Sequence, residues 1–167
     1  MPTLAIIWDP TTFEGKEYIT RHTARAVLYR DDGRIAILHV WKYNYHKLPG
    51  GGVEEWEDIG EALRRECMEE VGAEIEIGKY IGEVVEYKVK LWWKNWDYIL
   101  QISQCYFCRI TKQWEHNFTE SEKENNLSHR WFSLEEAIRT LENDNPDNEE
   151  WKFILQRELA FLKNIEA

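Results

Sequence analysis

Apolar residues recur along this chain with two spacings, one typical of β-strands and one typical of α-helices. Tyr18–Tyr29 is rich in β-branched and aromatic residues, and a turn at Asp31–Gly33 separates it from a second strand-like segment, Arg34–Trp41. Two such segments joined by this kind of turn predict a β-hairpin. Ile75–Lys90 and Trp96–Ile110 have the same character, so we expect a second pair of strands.

Shorter segments predict two further strands and a loop. Lys47–Gly52 is a short strand that runs into a glycine loop, and Arg130–Phe132 is another short strand. Thr111–Asn126 is polar and acidic without a strand pattern, so it is predicted to be a surface loop.

Three segments have helical spacing. In Asp58–Val71 the apolar residues share one face, Asp58 is the expected N-cap, and Gly72 is expected to end the helix. The apolar residues of that face are Ile59, Ala62, Leu63, Cys67 and Val71. Ser133–Glu142 begins with a capping box and predicts a second helix, and Glu149–Asn164 predicts a third.

This order of elements predicts the fold class. Strands come first, one helix lies in the middle, more strands follow and helices come last, which favours an α/β (α+β) domain with a mixed sheet between helices. The chain has 167 residues and shows no internal repeat or low-complexity linker, so a single domain over residues 1–167 is expected. We expect its core at residues 20–137 and its C-terminal helices at residues 134–164.

Composition excludes several classes of function. The chain has 21 Lys and Arg against 31 Asp and Glu, a formal charge of −10, which repels a nucleic-acid polymer and an anionic membrane. It shows no apolar run near the roughly 18 to 20 residues of a membrane span and no evident signal peptide, so a cytoplasmic protein is expected. The cysteines number three, which argues against a disulfide framework. Cys105 and Cys108, on one predicted strand, would point to opposite faces and be buried rather than bind a metal.

The negative charge is concentrated in one segment. Between Gly51 and Ala73 eight acidic residues stand against two arginines, a net charge of −6 that is more than half of the total. Glu66, Glu69 and Glu70 would share one helix face. Three carboxylates at this spacing suit Mg²⁺ or Mn²⁺ better than Zn²⁺, because no His or Cys joins them. The alternative is a solvated acidic helix face.

The spacing around these carboxylates resembles the signature box of the Nudix hydrolases, Gly-x5-Glu-x7-Arg-Glu-U-x-Glu-Glu-x-Gly-U, where U is a bulky aliphatic residue. Every fixed position matches, with Gly51, Glu57, Arg65, Glu66, Glu69, Glu70 and Gly72. The two U positions hold Cys67 and Ala73, which are smaller than usual and put the packing in question more than the chemistry. Leu48–Gly52 and Trp131–Ala137 also look like this family, and the resemblance covers roughly residues 20–137.

The resemblance implies a fold, an activity and roles for the box residues. Nudix hydrolases are α/β/α sandwiches around a mixed sheet, and they hydrolyse a phosphoanhydride bond in a nucleoside diphosphate linked to another group. By analogy Glu66 and Glu70 would be primary ligands of Mg²⁺ or Mn²⁺, and Glu69 an additional one. Glu57 would support the turn into the helix or an outer water, and Arg65 would orient a box carboxylate, while the box glycines shape the loop.

The catalytic base and the phosphate contacts are less defined. The base is either Glu66 itself or a glutamate outside the box, for which the loop before Trp131 offers Glu124 first, then Glu122, and Glu120; the alternative is a solvated loop. Substrate phosphates also need cations. The candidates near the expected cleft are Arg25, Arg34, Lys42 and Lys47, each of which is otherwise a surface charge.

Aromatic residues are numerous, with nine Trp. Trp92, Trp93 and Trp96 gather near one turn, where they would stack on a nucleobase, form a homodimer interface or cover the core. Tyr43 and Tyr45 precede the box and are candidates to line the cleft. His46 is a candidate general acid, but the sequence shows no partner for it.

Elimination favours one substrate class, a small phosphorylated nucleotide of the (d)NTP type. The proline typical of ADP-ribose hydrolases and the tyrosine typical of dinucleoside polyphosphate hydrolases are absent at their usual distances after the box, and no coenzyme A motif is evident. Hydrolysis of ADP-ribose, dinucleoside polyphosphates or nucleotide sugars is the alternative. A non-catalytic nucleotide-binding Nudix module would usually lack box carboxylates, and an isoprenoid diphosphate isomerase would need a cysteine near the cleft.

Overall fold

The protein folds around one mixed β-sheet. A computed structural model describes residues 2–9, 12, 15, 17–92, 95–114, 127–146 and 148–165, without the side chains of residues 90–97 and 149. The strands are β1 (Thr3–Trp8), β2 (Ile19–Tyr29), β3 (Ile35–Val40), β4 (Tyr45–Lys47), β5 (Gly50–Gly52), β6 (Ala73–Trp92), β7 (Asn95–Gln113) and β8 (Leu127–Phe132). The helices are α1 (Ile59–Val71), α2 (Leu134–Glu142) and α3 (Glu149–Lys163).

The sheet runs in the order β1-β6-β7-β2-β3-β4, with β5 beside β2 and β8 beside β3. β1 pairs with β6 and β2 with β7 in parallel, whereas β6 pairs with β7 in antiparallel. The predicted hairpin of β2 and β3 is reduced to the pair Tyr29 and Ile35, because the same edge of β2 pairs with β5 at Thr23–Arg25 and its Ala26 N–H donates to the Pro49 carbonyl. β2 is buried on both faces from Thr23 to Leu28, as expected for a central strand.

The structure differs from the predicted strands in three further places, two of which have a local cause. Thr3–Trp8 forms an edge strand that the sequence did not single out; its Ile6 and Trp8 are about half exposed, at 57% and 52%. Lys47–Gly52 splits into two strands at Pro49, which has no N–H for a strand ladder but whose carbonyl accepts a hydrogen bond from the Ala26 N–H. β7 extends to Gln113, into the predicted loop, because its end pairs with the start of β6.

Helices cover both faces of the sheet, which confirms the predicted sandwich. Cys105 and Cys108 lie three apart on β7 and are both buried with free thiols. The thiol of Cys105 lies near Glu158 of α3, whereas that of Cys108 lies near Cys67 of α1. The two helices therefore pack on opposite faces, and the two cysteines are buried strand residues as predicted.

The helix that carries the acidic residues begins and ends where its sequence predicts. The Asp58 side chain accepts from the Glu61 N–H, and the Glu61 carboxylate accepts from the Asp58 N–H, which forms a capping box. Gly72 ends α1 in the left-handed conformation with φ of 67°. The small residues Cys67 and Ala73 are completely buried, so they fit the core. None of the helices among the described residues is long and apolar enough to cross a membrane.

Candidate active site

The three box carboxylates lie at different depths along α1. The side chain of Glu70 is 5% exposed, that of Glu66 is 13% exposed and that of Glu69 is 34% exposed. Since they follow one another along one side of the helix, they form a row that runs from the edge of β5 towards solvent.

Glu70 is held where α1 meets the short strands β4 and β5. Its Oε2 accepts a hydrogen bond of 2.7 Å from the Gly50 N–H, and its Oε1 accepts one of 2.6 Å from the Lys47 ammonium. Lys47 also donates to the Gly50 carbonyl at 3.2 Å. Burial raises the pKa of Glu70 to about 7. The like charge of Glu66 adds to this increase, whereas the opposite charge of Lys47 reduces it. A cation that approached Glu70 would therefore stabilise the ionised form of its carboxyl group.

The glycines of β5 leave room for the Glu66 carboxylate. A Cβ at Gly51 would lie 2.6 Å from Cδ and 2.8 Å from Oε2 of Glu66, so only a glycine leaves room for the carboxylate as it stands. Gly50 is required for a different reason. Its φ is +132°, and a Cβ there would collide with the Ala24 carbonyl oxygen of the neighbouring strand.

Arg65 connects the box residues to one another. Its Nε and Nη2 donate to the two carboxylate oxygens of Glu57 at 3.1 and 2.6 Å, and Nη2 also donates to the Gly52 carbonyl at 3.0 Å. Its Nη1 donates to Glu66 at 2.8 Å and to Glu69 at 3.2 Å. The Arg65 guanidinium holds the pKa of Glu57 below its usual value, and Glu57 raises that of Arg65. Arg65 therefore fixes the loop and two carboxylates together.

The donor set fits a hard divalent cation, although the carboxylates are turned to other partners. The charged groups are Glu57, Glu66, Glu69 and Glu70 with Arg65 and Lys47, which leaves a net charge of −2. All donors are carboxylate oxygens, the ligands that Mg²⁺ prefers. In the part of the chain that the structure describes, no three His, Cys, Asp or Glu side chains are grouped as a metal site requires. Metal binding would thus need these carboxylates to converge on one point through lone pairs that Arg65 and Lys47 do not use.

The cations predicted to bind phosphate lie in different surroundings. Lys47 contacts the box directly through Glu70. Arg25 is 6% exposed on β2, with its Nε 3.4 Å from Glu158 Oε1, and burial lowers the pKa of its guanidinium. Lys42 is exposed with its ammonium 5.2 Å from the centre of the Tyr43 ring. Arg34 is exposed, at the turn before β3.

Some predicted site residues lie outside the described residues. They are Glu120, Glu122, Glu124 and Trp93, together with the side chains of Trp92 and Trp96. The proposed outside base and the tryptophan cluster therefore stay predictions.

The structure also reveals a buried charged network that the sequence did not indicate. Arg157 of α3 donates to Glu86 of β6 at 3.2 Å and pairs with Glu158, and all three side chains are 2% exposed or less. Gln101 donates to the same Glu86 oxygen at 2.6 Å. The only sequence signal was the position of Glu86, two residues after the buried Val84 on the same face of the strand. The network ties α3 to the sheet behind Arg25.

His46, for which the sequence showed no partner, is held by Asp144. The His46 Nδ1 lies 2.8 Å from Asp144 Oδ1, and the His46 backbone N–H donates to Oδ2 at 2.6 Å. The ring of His39 stacks on that of His46 at 4.2 Å. The rings of Tyr43 and Tyr45 stack on Trp151 of α3.

Comparison with known proteins gives both a family and a fold. The sequence model of the NUDIX domain matches residues 20–153. Human diphosphoinositol polyphosphate phosphohydrolase 3-beta is 26% identical over 153 residues, which cover 90% of this chain and 82% of that protein. The rat diphosphoinositol polyphosphate phosphohydrolase 2 is 30% identical over 131 residues, 77% of this chain and 66% of that protein.

Solved structures resemble the fold at low sequence identity. The MutT protein from Methanosarcina mazei Go1 has a TM-score of 0.53 and 17% identity, over 86% of this chain and 95% of that one. An ADP-ribose pyrophosphatase from Streptococcus suis 89-1591 has a TM-score of 0.51 and 16% identity, over 86% and 90%. At these identities the likeness establishes the mixed-sheet architecture alone.

Proposed function

The chain belongs to the NUDIX domain family and is a Nudix hydrolase, and from this premise we propose that it cleaves a phosphoanhydride bond of a small phosphorylated substrate with Mg²⁺ or Mn²⁺ bound by Glu66, Glu69 and Glu70. The observation that carries the proposal is the buried Glu70, held by Lys47 and the Gly50 N–H beside a glycine that leaves room for Glu66. A carboxylate cluster with a net charge of −2 is costly unless a cation joins it.

Each box residue has a separate task in this proposal. A bound divalent cation would neutralise phosphate charge and lower the pKa of a bound water. Arg65 holds Glu57, Glu66 and Glu69 in fixed orientations, which keeps the helix and the loop together. Lys47 lies where its ammonium can neutralise either the Glu70 carboxylate or a phosphate oxygen. The proton of the attacking water goes to a carboxylate, for which Glu66 and Glu124 are the candidates and Glu69 is an assisting group.

Two substrate classes follow from different observations. A nucleoside triphosphate of the (d)NTP type is the first, because the half-buried rings of Tyr43, in the turn before β4, and Trp151 of α3 stack near the strand that carries Lys47 and leave aromatic surface for a base. A diphosphoinositol polyphosphate is the second, because the curated relatives carry that substrate in their names. A ring bearing many phosphates would need several unpaired cations, whereas two of the described candidates are already paired, Lys47 with Glu70 and Arg25 with Glu158, so we rank it second.

A substrate panel tests the proposal. Purified protein is incubated with nucleoside triphosphates, ADP-ribose, dinucleoside polyphosphates, nucleotide sugars and a diphosphoinositol polyphosphate, each with Mg²⁺ or Mn²⁺. Glu69→Gln and Glu70→Gln are measured beside Glu55→Gln, a matched loss of one exposed charge in the same segment. We expect metal-dependent turnover of a triphosphate that falls at least tenfold in the first two variants and stays unchanged in the third. Absence of turnover on every substrate would exclude the enzymatic proposal.

A further inference from the structure

The connection between α2 and α3 contacts β4, the edge strand beside the site, through Asp144. Asp144 follows the last turn of α2, where its own N–H donates to the carbonyl of the buried Leu141 at 3.2 Å. Its carboxylate is 9% exposed and accepts two hydrogen bonds from His46, one from the backbone N–H and one from the ring. Asp144 is thus fixed by the end of α2, and it binds both the backbone and the side chain of His46, which lies 98 positions earlier in the sequence.

The contact with Asp144 gives β4 a hydrogen-bond partner on its open edge. β4 has three residues and, among the described strands, pairs with β3 alone. The N–H of His46 points away from β3, so without Asp144 it would have no partner in the sheet. A strand of three residues with one neighbour has little to fix its position. The Asp144 carboxylate therefore takes the place of a second neighbouring strand.

The next residue along β4 is Lys47. Its ammonium lies 2.6 Å from Glu70 Oε1 and 3.2 Å from the Gly50 carbonyl oxygen, so the position of β4 sets where this cation is aimed. Trp151 of α3 packs on Tyr45, the residue on the other side of His46, with ring centres 5.1 Å apart. The connection from α2 to α3 and the helix after it thus contact β4 immediately before Lys47.

We propose that Asp144 is a positioning residue of the active site, which fixes β4 through His46 and thereby aims the Lys47 ammonium at Glu70 and at the substrate phosphates. This inference rests on the proposed function, because it assigns Glu70 and Lys47 to the site. Asp144 itself touches neither the box nor the substrate, so its effect passes through Lys47.

A double-mutant cycle on kcat/KM tests this path. Asp144→Ala is expected to lower kcat/KM about tenfold, because Lys47 loses its fixed position. In a Lys47→Met background the same change should have less than a twofold effect, since the residue through which it acts is gone. Equal losses in the two backgrounds would overturn the proposal, because Asp144 would then act by another route.

The controls separate positioning from folding. Glu142→Gln removes the 2.6 Å ion pair between Glu142 and Lys163, an exposed contact between the same two helices, and is expected to leave kcat/KM within twofold. A tenfold loss in this variant would contradict the proposal, because loosening the helices alone would suffice. If Asp144→Ala does not fold, the cycle is run with Asp144→Asn, which keeps one acceptor oxygen and is expected to lose about threefold with the same dependence on Lys47.

A spectroscopic measurement distinguishes this inference from the proposed function. The carboxyl carbon resonance of Glu70, assigned by its loss in Glu70→Gln, reports the nearby ammonium without any substrate. We expect it to shift in Asp144→Ala and to stay in place in Glu142→Gln. An unshifted resonance would refute the positioning role, whereas an inactive wild-type protein with a shifted resonance would refute the proposed function only.

Discussion

Replacing Gly51 by alanine tests whether the Glu66 carboxylate requires the space that a missing side chain at Gly51 of β5 leaves. The added Cβ would lie 2.6 Å from Cδ of Glu66 and closer still to Oε1, whereas ordinary contacts begin at 3.4 Å, so the carboxylate must move by about 1 Å. A displacement of about 1 Å in a catalytic group can reduce the rate about 100-fold. We therefore expect kcat/KM to fall about 30- to 100-fold, or about 2 to 2.7 kcal/mol in transition-state stabilisation.

The stability of the same variant should hardly change. Gly51 has no positive φ, and the atoms its Cβ would meet belong to the end of a side chain that can turn away. Gly50→Ala is the matched control, since its φ of +132° and its approach to the Ala24 backbone leave no room to adjust. Backbone strain of this kind costs about 1 to 3 kcal/mol.

Hydrolysis of the substrate found in the panel and thermal denaturation are measured on both variants. We expect Gly51→Ala to keep the wild-type Tm while losing activity, and Gly50→Ala to lower Tm by roughly 2 to 12 °C. Activity of Gly51→Ala within threefold of wild type would show that the Glu66 carboxylate does not need the space at Gly51. An equal loss of Tm in the two variants would contradict the expected difference between Gly51 and Gly50.

Three further predictions concern the arginine of the box, the buried network and the thiols. Arg65→Lys cannot reproduce the two-atom bond to Glu57, so we expect a loss of about 1 to 2 kcal/mol in the free energy of unfolding and lower kcat/KM, measured by urea titration and kinetics. Burial raises the pKa of Glu86, but the opposite charges of Arg157 and Lys88 hold it below 4.5. The ionised Glu86 therefore stabilises the fold above pH 4.5, and this stability is lost as the pH falls through the lowered pKa. Urea unfolding between pH 6 and 3 should therefore show a steeper loss in wild type than in Glu86→Gln, and parallel curves would contradict this. All three cysteines are buried, and burial raises their pKa values, so a thiol reagent at about pH 8 should modify none in the native protein and three after denaturation.

Features coded by neighbouring residues were predictable from the sequence. The ends of α1 follow from Asp58 and Gly72, whose effects act within one helical turn. The shared face of Glu66, Glu69 and Glu70 follows from the helical repeat, and Arg65 lies one turn before Glu69 as its spacing implies. Local geometry therefore gave the row of carboxylates together with its orienting arginine.

Features that depend on distant residues were not predictable in the same way. β2 pairs with β7, some 80 positions later, a partner that a local turn signal cannot specify. Glu158 from the last helix lies 3.4 Å from Arg25, a contact that the sequence could not predict, while the role of Arg25 in substrate binding stays a prediction. His46 showed no partner in the sequence, because Asp144 comes from the other end of the fold.

Charged residues illustrate why sequence patterns fail for the interior. Glu86, Arg157 and Glu158 would each be assigned to the surface from residue type alone. They are buried because each meets an opposite charge from another element, Glu86 with Arg157 and Glu158 with Arg25 of β2, which offsets the cost of removing it from water. Only the folded chain brings these partners together.

The proposed function depends on a divalent cation bound by the box carboxylates of this hydrolase. The most direct test is the affinity for Mn²⁺, measured from the signal of free Mn²⁺ by electron paramagnetic resonance in metal-free protein. We expect Glu55→Gln to bind Mn²⁺ within twofold of wild type and Glu70→Gln to bind at least about tenfold more weakly. Equal affinity in wild type and Glu70→Gln, or a wild-type protein that binds no Mn²⁺, would contradict the account.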